Sequence, residues 1–187
     1  MGKVLIFSAP SGSGKTTIVK HLLARFPELE FSISATSRAP RGEERDGVDY
    51  YFMNAAEFAA RVEAGEFVEW EEVYAGTCYG TLRAEIERIW DRGHVAVFDV
   101  DVVGALNIKK LFDEQALSVF IMPPSVEVLR MRLEGRGTDS PEAIERRLAK
   151  ADQEIGYAPR FDRVVVNDDL ERAYAEAVQV VGAFLAQ

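Results

Sequence analysis

Eight consecutive residues near the N-terminus, Ala9-Pro10-Ser11-Gly12-Ser13-Gly14-Lys15-Thr16, join a glycine-rich turn to a lysine and a hydroxyl. The apolar run before them reads as a buried strand and the pattern after them as a helix. Strand, glycine turn and helix in that order make a phosphate-binding loop of the Walker A type. Glycines allow successive backbone N–H groups to point at an anion, and the helix N-terminus adds its positive dipole. Lys15 can reach the β- and γ-phosphates of ATP, and the Thr16 hydroxyl can join the shell of a Mg²⁺ ion that bridges them. The stretch departs from the pattern once, with Ala9 in place of the leading glycine. Gly12 and Gly14, nearest the phosphates, are intact, so Ala9 through Thr17 form the expected ATP-binding segment.

A phosphate loop binds a nucleotide but specifies no reaction. A second group of residues, Ser34-Ala35-Thr36-Ser37-Arg38-Ala39-Pro40-Arg41, places two arginines on a loop stiffened by proline. Guanidinium forks match phosphate oxygens, so Arg38 and Arg41 can grip one phosphate from two sides. Taken alone, the same loop reads equally well as a solvated basic segment.

Short apolar runs rich in Val, Ile and Phe, alternating with helical patterns, position these residues. That alternation predicts an α/β fold with a mainly parallel sheet. Strands are expected at Lys3–Ser8, Phe31–Ala35, Glu66–Val73, His94–Phe98, Leu117–Met122 and Arg163–Val166. The first helix should run from about Lys15 to Phe26 and stop at Pro27. Asn54, Thr81, Ser125 and Ser140 stand where N-caps are expected, with Pro141 at the first helical position after Ser140. Further helices are expected over Val102–Leu111 and Leu170–Leu185. The polar stretch Ser37–Asp49 reads as a loop, and Gly135–Thr138 as a helix break. Two segments interrupt the βα rhythm, Ser34–Tyr79 with its own short strands and Arg130–Ala151, a helical hairpin rich in arginine. Both read as mobile inserts on a parallel-sheet core.

The chain of 187 residues suits one domain with its own core, and its 48% hydrophobic and 28% charged content is that of a folded protein rather than a disordered one. A net charge of -9 disfavours nucleic acid and anionic membrane surfaces as partners. An anionic substrate would then have to be met by locally concentrated arginines. The single cysteine, Cys78, permits no disulfide within the chain and fits a reducing, cytoplasmic setting. We expect no secretory leader, since the apolar run Val4–Phe7 is too short, and no apolar stretch approaches the length of a membrane span.

Across nearly its whole length the chain resembles the guanylate kinase family. The resemblance is carried, in order, by Ala9–Thr16, Ser34–Arg41, Gly47–Phe52, Phe67–Trp70, Tyr79–Thr81, Asp99–Asp101, Pro123–Ser125, Arg132–Thr138 and Val166–Asp168. It implies a P-loop NTPase fold in one domain spanning 1–187, with core segments 1–33, 80–129 and 152–187, a GMP-binding insert at 34–79 and a lid at 130–151. It implies that Arg38, Arg41, Tyr50 and Tyr79 hold the phosphate of GMP, and that Ser34, Glu69, Thr81 and Asp101 read guanine. Asp99 matches an acid at the end of the central strand and is grouped with the GMP-binding residues. Arg132, Arg136 and Arg147 match lid arginines that close over the ATP phosphates. Lys15, Arg38, Arg136 and Arg147 would carry catalysis, with Thr16 as the protein's ligand to a Mg²⁺ ion that arrives with ATP.

The base-reading roles are chemically reasonable. Guanine offers N1–H and N2–H₂ donors together, which one carboxylate can accept, whereas adenine would present a lone pair at N1. Departing from the family, Cys78 replaces an aromatic residue beside Tyr79. It reads as a small packing residue. Asn167 is either an adenine contact or, with Asp168, a helix cap; Trp70 is either the floor of the base pocket or core. His21 and His94 are read as structural. Two other functions stay open at this point: a catalytically silent domain that binds phosphopeptides, and a P-loop kinase for a different acceptor. The expected reaction is phosphoryl transfer from ATP to GMP, and to dGMP, in purine nucleotide metabolism, with the oligomeric state open.

Overall fold

A computed structural model describes residues 2–135 and 140–187. Three strands with almost unbroken apolar sequence occupy its interior: β1 (Val4–Ser8), β7 (Val95–Asp99) and β8 (Ala116–Met122). Val4–Phe7 and Val119–Ile121 are completely buried, and Ala96–Phe98 nearly so. Such runs belong to parallel strands covered on both faces, where alternation with polar residues is not needed. Together with β2 (Leu29–Phe31) and β9 (Arg163–Val166) they form a five-stranded sheet in the order β2-β7-β1-β8-β9. The pairs β2/β7 and β8/β9 are parallel. With helices flanking this sheet, the architecture is α/β, as expected.

The chain divides into two compact units, one comprising Met1–Val4 and Glu28–Val97, the other Leu5–Pro27 and Phe98–Gln187. The first carries a separate four-stranded sheet. Its strands are β3 (Ala35–Thr36), β4 (Tyr51–Phe52), β5 (Phe67–Tyr74) and β6 (Thr77–Leu82), in the order β4-β3-β6-β5. Helix α2 (Ala55–Glu63), capped by the Asn54 side chain, packs Phe58 beneath this sheet against Ala35, Met53, Phe67 and Leu82. Helix α3 (Arg83–Asp91) follows β6 directly.

In the second unit, α1 (Lys15–Arg25) packs on α7 (Leu170–Leu185), where His21 stacks on Tyr174 at 3.9 Å. Helix α4 (Val102–Phe112) packs on β8. Helices α5 (Val126–Glu134) and α6 (Pro141–Ile155) form a hairpin around Leu129, Leu133, Ile144, Leu148 and Ala151. Ser125 and Ser140 cap them as expected.

Two expectations are corrected. Phe31–Ala35 is not one strand: β2 ends at Phe31, β3 begins at Ala35, and the chain changes sheets through Ser32–Ser34. Partners distant in sequence cause the break, with Ser32 N–H bonded to Val97 O, Ile33 N–H to Glu85 and Ser34 O to Tyr51 N–H. Nor does Thr81 cap a helix. It lies within β6, and α3 starts after Leu82 with no side-chain cap.

Phe120, at the centre of β8, is wholly buried and lies 5.2 Å from the Phe161 ring. Replacing it by Ala removes a large apolar side chain and leaves a cavity that the sheet cannot collapse into. Phe120→Ala is therefore expected to lower unfolding stability by about 3–5 kcal/mol, measured by urea titration.

Candidate active site

Among the described α-helices, α1 is exceptional at its start. Helices α2, α4, α5, α6 and α7 receive side-chain caps from Asn54, Asp101, Ser125, Ser140 and Asp169. Helix α3 has no such cap but carries Glu85 in its first turn. Helix α1 has neither a side-chain cap nor an acidic residue there, and Gly14 stands at its N-cap. The first-turn N–H groups of a helix need an acceptor from outside the helix. An incoming anion can be that acceptor, and it gains the helix dipole as well.

The loop before α1 is shaped by two left-handed glycines, Gly12 at φ 93° and Gly14 at φ 92°. Gly14 meets a second constraint. A Cβ there would lie 2.2 Å from Asn167 Nδ2. That amide donates to Ser13 O at 2.7 Å and so buttresses the loop from below. Asn167 is buried and does not cap α7; Asp169 does. Ser8 and Ser13 carry buried hydroxyls with no hydrogen-bond partner among the described residues, orphan polar atoms at the base of the loop.

Three cationic side chains meet this loop or the strand ends around it. Lys15 pairs with the Asp99 carboxylate at the end of β7. Arg132, on α5, donates to Asn167 O at 2.9 Å and approaches Ser13 O. Arg147, on α6, donates to Ser11 Oγ at 2.9 Å. Arg136 lies outside the described residues. Thr16 and Thr17, in the first turn of α1, are exposed. Asp101 accepts the Gly104 N–H at 2.8 Å as the cap of α4. Glu154, at the end of α6, was not anticipated. Burial raises its pKa, with Lys15 and Lys150 opposing and Asp101 reinforcing the shift. Its field therefore overlaps that of the loop lysine.

The first unit contains another cationic centre, built on Arg38. Its Nε donates to Tyr79 Oη at 3.0 Å, and its guanidinium lies 5.0 Å from the Tyr50 ring centre and 5.6 Å from that of Phe52. Tyr50 and Tyr79 meet edge to face at 5.9 Å. Burial pushes the Tyr50 hydroxyl up, which keeps it a neutral donor. Tyr79 is thus braced by Arg38 and Tyr50, so the cysteine beside it costs no support. Cys78 packs against the Phe58 and Phe67 cluster, and burial raises its thiol away from thiolate character.

Glu44 organises this centre and escaped the sequence reading. It takes Arg38 Nη1 and Nη2 at 2.6 and 2.8 Å, and accepts the Arg41 N–H at 2.8 Å. The Arg38 guanidinium and then the Arg41 N–H hold its carboxyl down at about 2. In sequence, the only sign of it was an acid three residues after Arg41 in the same tight loop.

On the adjoining strands Glu69 and Thr81 stand opposite one another in the β5/β6 ladder, and Thr81 Oγ1 donates to Glu69 Oε1 at 2.8 Å. Gly80 permits the close pairing, since a Cβ there would meet Glu69 O at 2.7 Å. Trp70 is 44% exposed and touches Phe58 only edge-on, so it is not a core residue. Ser34 lies just before β3, its carbonyl bonded to Tyr51 N–H. The first unit therefore gathers Ser34, Arg38, Arg41, Tyr50, Glu69, Tyr79 and Thr81, and the second gathers Lys15, Asp99, Asp101, Arg132, Arg147 and Asn167.

A model of the guanylate kinase family matches residues 1–183. The chain belongs to the guanylate kinase family. It is 58% identical over 184 residues to a guanylate kinase of Bacteroides thetaiotaomicron, covering 98% of this chain and 90% of that protein. It is 54% identical to the guanylate kinase of Porphyromonas gingivalis, with complete coverage of both. The crystal structure of guanylate kinase from Anaplasma phagocytophilum superposes with a TM-score of 0.73 at 31% identity, over 97% of this chain and 85% of that one.

The Gly14 geometry leads to a test. Gly14→Ala forces a left-handed conformation on a residue with a Cβ, costing about 1–2 kcal/mol, and drives that Cβ into Asn167. ATP affinity measured by calorimetry should fall roughly tenfold or more, while thermal unfolding stays cooperative.

Proposed function

We propose that this chain transfers the γ-phosphoryl group of MgATP to GMP, and to dGMP, giving ADP and the nucleoside diphosphate. The observation that carries the reading is the uncapped first turn of α1, held ready for phosphate, in a chain that also carries an Arg38–Tyr79 cradle and a Glu69–Thr81 pair.

A phosphate oxygen of GMP attacks the γ-phosphorus, the bond to the β–γ bridging oxygen breaks, and ADP leaves with the electron pair. The protein forms no covalent bond. Its work is to position two anionic reactants and to neutralise charge as it redistributes. Lys15 gives up Asp99 as partner for the β- and γ-phosphate oxygens. Arg147 and Arg132 follow the phosphates on the loop side, and Arg136 would join them from the segment 130–151, which we assign as a lid. Residues 34–79 are assigned to GMP. There Arg38, Arg41, Tyr50 and Tyr79 surround the monophosphate, and Glu69 accepts N1–H and N2–H₂ of guanine. We assign no residue to the ribose 2′-hydroxyl, and so dGMP is an expected acceptor.

The chain's donors fit a magnesium ion that travels with the triphosphate. The exposed Thr16 hydroxyl is a hard oxygen ligand in the first turn of α1. Among the described residues no cluster of three or more His, Cys, Asp or Glu could hold an ion unaided, as suits a metal held chiefly by phosphate and water. Bound there, the ion would supply charge neutralisation for the phosphates. No helix among the described residues is long and apolar enough to cross a membrane. With a single cysteine and an acidic surface, we place the reaction in the cytoplasm, on small-molecule nucleotides rather than nucleic acid.

The assignment is tested by ADP release with ATP, Mg²⁺ and each nucleoside monophosphate in turn. GMP and dGMP should be turned over well ahead of AMP, CMP and UMP, and equal turnover of AMP would overturn it. Lys15→Met removes the point charge at the γ-phosphate and should lower kcat on the order of 10²-fold or more in a protein whose circular dichroism is unchanged.

Glu69 decides the base. Glu69→Gln leaves one acceptor oxygen and turns an NH₂ toward the guanine donors. Charge-assisted hydrogen bonds contribute about 1.5–3 kcal/mol each, and a mispaired polar group costs a similar amount. Expected is a roughly ten- to thousandfold loss of kcat/KM for GMP with little change in KM for ATP. A GMP response within about twofold would remove Glu69 from the site.

A further inference from the structure

We propose that Glu85 is a positioning residue for the nucleotide-acceptor site, clasping the Ser32–Ser34 junction and strand β4 so that Ser34 and Tyr50 are held in place. The inference rests on the GMP reading above and concerns a residue that touches no substrate.

The chain leaves one sheet and enters the other through Ser32–Ser34, and it has no strand partners of its own there. Three hydrogen bonds, one per residue, hold it. Ser32 N–H bonds Val97 O at 2.9 Å and Ser34 O accepts Tyr51 N–H at 2.9 Å, both backbone to backbone. The middle bond, from Ile33 N–H at 2.9 Å, goes instead to a side chain, Glu85 Oε1. Packing does not replace it, because an open cleft of about 500 Å³, lined by Phe31, Ile33, Val48 and Tyr51 among others, runs beside this junction.

Glu85 is suited to this task. Its side chain is 1% exposed and accepts four hydrogen bonds: from Ile33 N–H, from Tyr51 Oη at 2.8 Å, and from Arg88 Nε and Nη2 at 2.8 Å each. Arg88 is itself tied to Glu30 at 2.5 Å, and Glu30 also holds Arg92 and His94 Nδ1. Burial raises the Glu85 carboxyl, but the donors of Arg88, Ile33 and Tyr51 outweigh it and leave the carboxyl net lowered. The clasp is therefore charged and fully bonded. A buried ion pair is a weak source of stability, since apolar residues of similar volume serve as well or better. What it supplies here is geometric: Glu85 takes the Tyr51 hydroxyl and the peptide of Ile33, while the Tyr51 N–H takes the peptide of Ser34. Ser34 is thus fixed from both sides, and Tyr51 is anchored at backbone and ring. Tyr50, next in sequence, lies against Arg38.

Tyr51→Phe removes one arm with minimal change of volume, and Glu85→Gln weakens both. Each is made in the full chain and compared with the unmodified enzyme. Expected for each is a roughly three- to thirtyfold rise in KM for GMP, with KM for ATP within about twofold. In the double variant the effects should be markedly less than additive, because both act through one clasp. If Glu85 served stability alone, melting temperature and active fraction would fall while KM for GMP stayed put, and that result overturns the proposal. So does a cooperatively folding Tyr51→Phe protein with unchanged KM for GMP, whatever becomes of Glu85→Gln. Failure of the unmodified protein to phosphorylate GMP at all would instead overturn the functional reading, and the role of the clasp with it.

Discussion

Phosphate is a dense negative charge, and an acidic protein can accept it only where donors are already aimed and their own charges already balanced. The first turn of α1 meets the first condition. With no side-chain cap and no acid in that turn, its N–H groups and dipole are committed to an external anion. The surrounding loop follows from this choice. Gly12 and Gly14 adopt conformations closed to most residues, and Asn167 fills the space that a side chain on Gly14 would need. Lys15, Arg132 and Arg147 then each find a partner that holds them close to the loop.

The second condition explains the pairing of cations with carboxylates. Lys15 rests on Asp99, and Arg38 rests on Glu44. Such pairs order side chains in advance that would otherwise lose considerable rotamer freedom on meeting a ligand. The Arg38 fork shows this most clearly, because Glu44 fixes its two Nη atoms while Tyr79 fixes Nε. The guanidinium is thus held in one place by its own partners, the kind of preorganisation by which electrostatic stabilisation avoids reorganisation during reaction.

What could be read from sequence was whatever depends on adjacent residues. The phosphate loop was legible because strand, glycines, lysine and helix are contiguous, and the caps Asn54, Ser125 and Ser140 because a cap acts within three residues of itself. The expectation failed wherever a distant partner decides. Phe31–Ala35 alternates large and small residues like a single strand, yet Val97, Glu85 and Tyr51 divide it between two sheets. Thr81 has the type and place of a cap, yet its hydroxyl is taken by Glu69 across the ladder. Glu44, Glu85 and Glu154 passed unnoticed among 31 acidic residues because burial and partners, not residue type, distinguish them.

In the GMP site proposed above, the Glu69–Thr81 pair would build base recognition into secondary structure rather than onto a loop. Facing positions in an antiparallel ladder hold their Cβ atoms about 4.5–5.5 Å apart, close enough for the threonine hydroxyl to engage one carboxylate oxygen. That bond limits Glu69 to a narrow set of rotamers and adds a donor without adding charge, so the carboxylate stays an acceptor for N–H groups. A glutamate on a flexible segment would have to be ordered by each incoming base and would discriminate less, because part of the binding energy would go into ordering. Because Gly80 permits the strands' close approach, the rigidity of the Glu69–Thr81 pair traces back to a residue with no side chain at all.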